Sequence, residues 1–348
     1  MRLADFDFSL PDHLIAQAPP SERGASRLLV VDRATGTWAD RMIADLPDLL
    51  APSDLLVVNN SRVVPARLLG RREPSGGQVE CLLLRQIDDE RWDVLMHPGQ
   101  KMKPGTRASF GAPPARLEVE VLAQHTFGRR TVRLWASDGG SVTEVVDAIG
   151  HMPLPPYIKR DDSLADRERY QTIYASRRGS VAAPTAGLHL TPALLNALEA
   201  RGLTRAEVTL HVGYGTFEPV RTDIVEEHRL HPEPFEIDGT AAAVIAAAQH
   251  EGRRIVSVGT TTTRTLEAVA AAHGGLVHEA SGEASLYIYP GFRFQVVNGL
   301  LTNFHLPRSS LLLLVCAFAG TELTLAAYRH AIAENYRFYS YGDAMLLL

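Results

Sequence analysis

Five histidines carry the first chemical signal. His189, His211, His228, His231 and His305 all stand in irregular or strand-end stretches with small and polar neighbours. Imidazole is the side chain whose ordinary pKa suits proton transfer near pH 7. The richest setting is Ser180-Val-Ala-Ala-Pro-Thr-Ala-Gly-Leu-His-Leu-Thr191, which holds no Asp, Glu, Lys or Arg and no regular period across its middle. A chain uses such small-residue backbone, here centred on Thr185, where it must approach a ligand closely. The plainer reading is a surface connection, but those rarely carry so little charge. His189 ends the Ser180–His189 part of this stretch, so no adjacent carboxylate pins it as an ion-pair partner. His305 shares Thr302-Asn-Phe-His-Leu-Pro-Arg-Ser-Ser310 with Asn303, whose amide can orient an imidazole or hold a hydroxyl. These two rank first as a general base, with His211 and Glu218 next. Each histidine taken singly also has an ordinary reading as a hydrogen-bonded structural group.

Two further patterns compete. His228-Arg-Leu-His231-Pro-Glu233, joined by His211, offers ligand atoms for a hydrolytic metal ion. The two histidines are three apart rather than four, and Pro232 and Pro234 end any helix there. The expectation is therefore no metal, with His228 and His231 as binding residues. Gly259-Thr-Thr-Thr-Thr-Arg-Thr265 lies between a strand pattern and a helix pattern, where free N–H groups and hydroxyls can cradle a polar ligand. Thr260, Thr261 and Arg264 are its candidates, although on spacing alone a well-capped helix start reads slightly better. It lacks the lysine of a phosphate loop, and Gly213-Tyr-Gly215 lacks the third glycine of a dinucleotide fingerprint.

The elements that must position these residues fall into two kinds. From Val63 to Ala148, short alternating runs are punctuated by Pro74-Ser-Gly-Gly77, Pro98-Gly99, Pro104-Gly105 and Asp138-Gly-Gly140. That pattern predicts a small antiparallel β-barrel over 63–148, inserted into a larger α/β domain formed by 1–62 and 149–348. In the larger part, Arg27–Asp32, Asp54–Asn59, Val208–Val212, Arg254–Gly259 and Ser285–Tyr289 read as strands. Thr191–Ala200, Gly239–Gly252, Arg264–His273, Leu311–Ala319 and Glu322–Tyr336 read as helices.

Bulk properties narrow the function classes. The 348 residues are 45% hydrophobic and 22% charged, which is ordinary globular material with room for two domains. A net charge of −5 gives no global basic field, so any nucleic acid must bind a local patch. Cys81 and Cys316 sit in apolar runs and read as buried free thiols, which suits a reducing cytoplasm. The acidic start Met1-Arg-Leu-Ala-Asp-Phe-Asp is no signal peptide, and no apolar run approaches the ~20 residues of a membrane span.

Seven stretches taken together carry a family resemblance. Gly150-His-Met-Pro-Leu-Pro-Pro-Tyr-Ile, Ala182-Ala-Pro-Thr-Ala-Gly-Leu-His, Thr209-Leu-His-Val-Gly-Tyr-Gly-Thr-Phe, Val258-Gly-Thr-Thr-Thr-Thr-Arg-Thr-Leu-Glu, Leu301-Thr-Asn-Phe-His-Leu-Pro, Arg337-Phe-Tyr-Ser-Tyr-Gly-Asp-Ala-Met and Asn59-Asn-Ser-Arg-Val-Val-Pro-Ala-Arg-Leu-Leu-Gly70 resemble the S-adenosylmethionine:tRNA ribosyltransferase-isomerases of queuosine synthesis. The resemblance runs the whole chain in order, with departures at Leu190, Leu230 and Asn298. It implies a barrel inserted in an α/β domain. It also implies transfer and isomerisation of the ribosyl part of S-adenosylmethionine onto 7-aminomethyl-7-deazaguanine at the tRNA wobble position, giving epoxyqueuosine with loss of adenine and methionine. S-adenosylmethionine is then a co-substrate, with no cofactor, and the partner is the modified tRNA.

That chemistry says what to seek. The sulfonium acidifies the ribose C5′ hydrogen, so a base is needed beside it. Asn59, Asn60 and Arg62, at the crossing between domains, are expected to meet the modified base or its phosphate. Tyr157, Tyr174 and Phe217 are expected to stack on a base. Arg67, Arg71, Arg72, Lys159, Arg160, Arg177 and Arg178 are the cations for tRNA. The expectation is a cytoplasmic enzyme with no membrane contact, working as a monomer. The alternatives are a metal-dependent hydrolase built on His211, His228, His231 and Glu233, and a non-catalytic RNA-binding protein.

Overall fold

Runs such as Leu55-Leu-Val-Val58 and Ile255-Val-Ser-Val258 are apolar on both faces, the mark of strands covered on each side. The computed structural model describes residues 1–217 and 219–348, with Phe217 described by its backbone alone. It places these runs at the centre of a nine-stranded mixed sheet. In spatial order the strands are Ala280–Ala284, Glu233–Ile237, Thr204–Leu210, Leu55–Asn59, Ile255–Val258, Gly299–Asn303, Ala344–Leu347, Arg27–Asp32 and Thr37–Met42. Thr204–Leu210, Leu55–Asn59, Ile255–Val258 and Gly299–Asn303 run parallel, so their carboxyl ends share one edge.

Successive side chains of a strand face opposite layers. Leu55, Val57 and Ile255 join the core beneath the helices Gly239–His250, Thr260–Ala272, Ser310–Ala319 and Thr321–Ala333. Leu56, Val58, Val256 and Val258 pack on the opposite side with Leu194, Leu195 and Leu198 of helix Pro192–Ala200. Sequence-local caps fix the helix starts: Thr191, Asp238 and Ser309 each accept an N–H of the first turn through the side chain. The larger unit comprises Met1–Arg62, Pro156–Arg160 and Arg169–Leu348.

The second unit is a closed six-stranded barrel in the order Arg129–Ala136, Arg91–His97, Gln78–Gln86, Arg67–Glu73, Arg107–Ala112, Ala115–Gln124. Its interior holds Leu68, Cys81, Leu83, Val94, Met96, Phe110, Val119, Val121, Val132 and Leu134. Every pairing is antiparallel. The strand Arg107–Ala112 escapes the sequence pattern because Ala, Ser and Gly carry little strand preference.

This unit extends past residue 148, over Val63–Pro155 and Asp161–Glu168. Gly150 lies so close to the chain that a Cβ there would stand 2.0 Å from the Pro65 carbonyl oxygen. His151 exchanges backbone hydrogen bonds with Arg67, and its Nδ1 lies 2.8 Å from Asp162.

Two element boundaries also differ from expectation. Ser285–Tyr289 is not a strand: the ladder stops at Ala284, and the Ala284 and Leu286 carbonyls accept from the Arg264 guanidinium instead. The threonine run is not a loop, since the helix begins at Thr260 directly after Gly259. Among the described residues no single helix is long and apolar enough to cross a membrane. Cys81 and Cys316 are buried free thiols, as expected.

Candidate active site at the carboxyl edge of the parallel strands

The four parallel strands deliver Asn59, His211, Gly259 and Asn303 to one edge of the sheet. Such an edge is where α/β folds bind ligands. The uncharged stretch closes onto it. Val181 and Ala182 donate their N–H groups to the Val212 carbonyl, and Ser180 Oγ accepts from Val212 N–H at 3.0 Å. Thr185 Oγ1 donates to Asn303 Oδ1 at 3.0 Å. Ser180–His189, His211–Gly213, Gly259–Arg264 and Thr302–His305 are thus neighbours, although they lie far apart in sequence.

Asn303 is the hub. Its amide nitrogen donates to the Tyr339 carbonyl at 3.0 Å and to His189 Nε2 at 3.0 Å. A carbonyl can only accept, so the amide must present its nitrogen to this side. His189 Nε2 is then an acceptor without a proton, and Nδ1 carries the hydrogen, which it donates to Ser26 Oγ at 2.8 Å. Both ring nitrogens are therefore occupied within the fold. Burial, reinforced by the Arg23 charge, pulls this imidazole down to about 4. His189 is neutral and oriented, and it has no ring nitrogen left for a substrate proton. Tyr339, whose carbonyl anchors Asn303, has φ 71°, a conformation a bulky residue adopts only when its surroundings impose it.

His305 differs in one respect. Its Nε2 meets Thr302 Oγ1 at 2.9 Å, and its backbone N–H donates to the Tyr328 hydroxyl at 3.0 Å. Nδ1 has no partner among the described residues, and it is not one of the polar atoms sealed away without a partner. Burial pulls this ring down to about 3, so it too is neutral at pH 7. His211 is half-buried, and burial lowers its pKa. Its Nδ1 is buried without a partner among the described residues, and it would lie 2.7 Å from a Cβ at Gly179.

Several candidates prove to be the frame of the edge. Asn59 is fully buried with all four hydrogen-bonding positions used: its amide nitrogen donates to the Leu210 carbonyl and Thr261 Oγ1, and its oxygen accepts from Ser61 and Leu210 N–H. Asn60 bonds Glu207 and Thr209. Arg264 donates to Glu233 at 2.6 Å in a pair whose side chains are only 7% and 6% exposed. Glu233 also accepts from Gly213 N–H at 2.7 Å. This pair therefore ties the helix to the Gly-Tyr-Gly turn. It removes Glu233 from any metal-ligand set, and among the described residues no three His, Cys, Asp or Glu side chains converge as one. His228 lies edge-on to the Tyr287 ring, and His231 lies against Gly215.

The helix start retains binding capacity. Gly259 has φ 92°, a value that favours glycine, and no side chain caps the first turn of Thr260–Ala272. Thr262, Thr263 and Thr265 donate their hydroxyls back along the chain, whereas Thr260 makes no such bond among the described residues. Tyr157 stacks on Tyr339 at 4.3 Å and shares a 2.6 Å hydrogen bond with Ser340, so one of its faces is already covered. Burial lifts its hydroxyl to about 12. Phe217 beyond its backbone, and Glu218, lie outside the described residues.

Among the cations, Arg62 and Arg177 are exposed without a side-chain partner among the described residues. Lys159 is 76% exposed, 4.0 Å from Asp12. Arg160 donates to the Gln17 carbonyl, and Arg178 is exposed. Arg67 is committed to Glu80 through two bonds, while Arg71 and Arg72 hold the Gly76 carbonyl and Ser75.

Sequence reading missed Ser26, which is 163 positions from the imidazole it receives, and Glu267. The Glu267 carboxylate accepts from the N–H groups of Gln295, Val296 and Val297, and burial raises its pKa. No local pattern marks either partnership.

Fold and edge define an α/β ligand-binding scaffold accompanied by a closed antiparallel barrel. The chain belongs to the queuosine biosynthesis protein family, whose model matches residues 3–347. It is 51% identical over 348 residues to the S-adenosylmethionine:tRNA ribosyltransferase-isomerase of Heliobacterium modesticaldum, covering 100% of both chains. It is 50% identical over 366 residues to the protein of the same name from Solibacter usitatus, again covering 100% of both. Among solved structures it is similar to the S-adenosylmethionine tRNA ribosyltransferase of Thermotoga maritima, with a TM-score of 0.56 and 35% identity over 99% of this chain and 100% of that one.

Proposed function

We propose that this chain is an S-adenosylmethionine-dependent tRNA ribosyltransferase-isomerase. It moves and isomerises the ribosyl part of S-adenosylmethionine onto 7-aminomethyl-7-deazaguanine at the wobble position, leaving epoxyqueuosine and releasing adenine and methionine. The observation that carries this reading is full-length identity of about half the residues to relatives of that name. S-adenosylmethionine is a co-substrate, no cofactor takes part, and the enzyme works in the cytoplasm as a monomer. No observation favours the hydrolase or the non-catalytic reading.

The geometry suggests a division of labour. His305, with Nδ1 unengaged, is the histidine best placed to take the C5′ proton. Its burial keeps the imidazole neutral and ready to accept. Its proton affinity is low, so the transfer relies on the sulfonium to acidify C5′. His189 acts through Asn303 and Tyr339 as a positioning residue. The uncapped helix start at Gly259–Thr260 supports a site for an anionic group of the co-substrate. Arg62 and Arg177 are the exposed cations suited to RNA phosphates.

The test is an adenine-release assay. Adenine and methionine should appear in equal amounts with S-adenosylmethionine plus tRNA carrying the 7-aminomethyl base, and neither should appear with S-adenosylmethionine alone. Adenine release that ignores the tRNA would refute the transfer.

A further inference from the structure

The two ends of the barrel are not alike. The chain enters at Arg67 and leaves at Ala136 on one end, whose connections carry Asp88, Asp89, Glu90 and Asp138. The opposite end is made by the connections 74–77, 98–106 and 125–128, and none of these holds a carboxylate. Lys101 and Lys103 are exposed there, Arg129 begins the strand that follows, and Arg71 and Arg72 precede the first turn. Glu73, which ends the first strand here, is paired with Arg116 at 2.9 Å, and Glu120 with Arg107 at 2.9 Å.

This end is built rather than loose. Arg130 is 2% exposed and donates to four carbonyls: Met102 and Gly99 from one connection, His125 and Arg129 around the other. It has no carboxylate partner among the described residues, so its charge adds to the field of this end. The connection it pins presents Phe127, a residue 74% exposed with φ 54°. A bulky residue in left-handed backbone is costly, and such cost is tolerated where the side chain has work to do. Beside this end, the outer wall holds a groove of about 550 Å³ lined by Leu69, Arg71, Gln78, Glu80, His97 and Pro98.

Cations with an exposed aromatic ring between them form the pattern that grips phosphates and stacks a base. We propose that this end of the barrel is an RNA-docking surface, taking phosphates on Lys101, Lys103 and Arg129 and stacking a base on Phe127. The inference rests on the reading of tRNA as substrate. It adds a binding region that no local motif marks.

The test measures affinity of the full chain for tRNA by fluorescence anisotropy across a salt series. Lys101→Glu with Lys103→Glu and Arg129→Glu should weaken binding by at least about tenfold. It should also flatten the salt dependence by about 0.7–0.9 in log–log slope for each phosphate no longer neutralised. Phe127→Gly separates function from folding: glycine accepts this backbone freely, so the melting temperature should hold or rise while tRNA affinity falls about tenfold. If the triple variant does not fold, Lys101→Gln with Lys103→Gln decides by the same readout. Unchanged tRNA affinity in folded variants overturns the docking surface and leaves the transferase reading standing. Loss of binding to polyglutamate with tRNA affinity intact would assign the end to an acidic protein and also overturn it. A wild-type chain that binds no tRNA at any salt would sink both.

Discussion

A buried histidine with both nitrogens engaged and one with a nitrogen to spare should answer substitution differently. His305→Gln should lower the rate at saturating substrates by roughly 10²–10⁴-fold, the usual share of general acid–base catalysis. His189→Gln should act mainly through misplacement of Asn303, raising KM and lowering stability before it touches the rate; single-turnover and melting measurements separate the two. Both rings also bear on pH. Their pKa values of about 4 and about 3 lie below the ordinary histidine value, so the unfolded chain takes protons first. Stability is then full above about pH 6.5 and falls as pH drops, by about 1.4 kcal/mol per pH unit for each histidine down to its folded value. Removing either ring should flatten the urea-unfolding midpoint between pH 6.5 and 5 relative to wild type, and an unchanged slope would contradict the neutral assignment. Sequence alone named both residues but could not rank them. The difference lies in Ser26 and Tyr339, partners remote in sequence and visible only in three dimensions.

At the scale of elements, the frame matters more than any one ligand contact. Breaking the Arg264–Glu233 pair from one side leaves a charge buried alone, which costs about 3–5 kcal/mol. Glu233→Ala should therefore drop the melting temperature sharply. Arg264→Met with Glu233→Leu should recover much of that loss, yet free the Gly213 N–H and impair activity. Gly259→Ala should strain the turn at φ 92° and raise KM for S-adenosylmethionine. The apolar runs at Leu55 and Ile255 and the helices after Thr191 and Ser309 were legible because strand and helix patterns are written locally. The Ser285–Tyr289 run was misread because an arginine from a neighbouring helix claims the Ala284 and Leu286 carbonyls. The threonines were misread as loop because their hydroxyls bond back along the helix instead of opening it.

Over the whole molecule, a chain of net charge −5 must bind a polyanion through local fields. Turn punctuation disclosed the barrel. It did not disclose the weak strand Arg107–Ala112, nor that Arg67 and Arg130 are spent inside the unit while Lys101 and Lys103 are left outside. Basic residues look alike in sequence; only their partners tell a phosphate-binding group from a staple. What sets this enzyme apart is that the ribosyl group, not the methyl group, leaves S-adenosylmethionine for the tRNA. That transfer is followed with S-adenosylmethionine labelled in the ribose carbons, incubated with the chain and 7-aminomethyl-modified tRNA, then nucleoside digestion and mass spectrometry. One labelled epoxycyclopentanediol on the wobble base is expected per adenine released. A methylated base without ribose label, or no label in the base while adenine accumulates, would contradict ribosyl transfer.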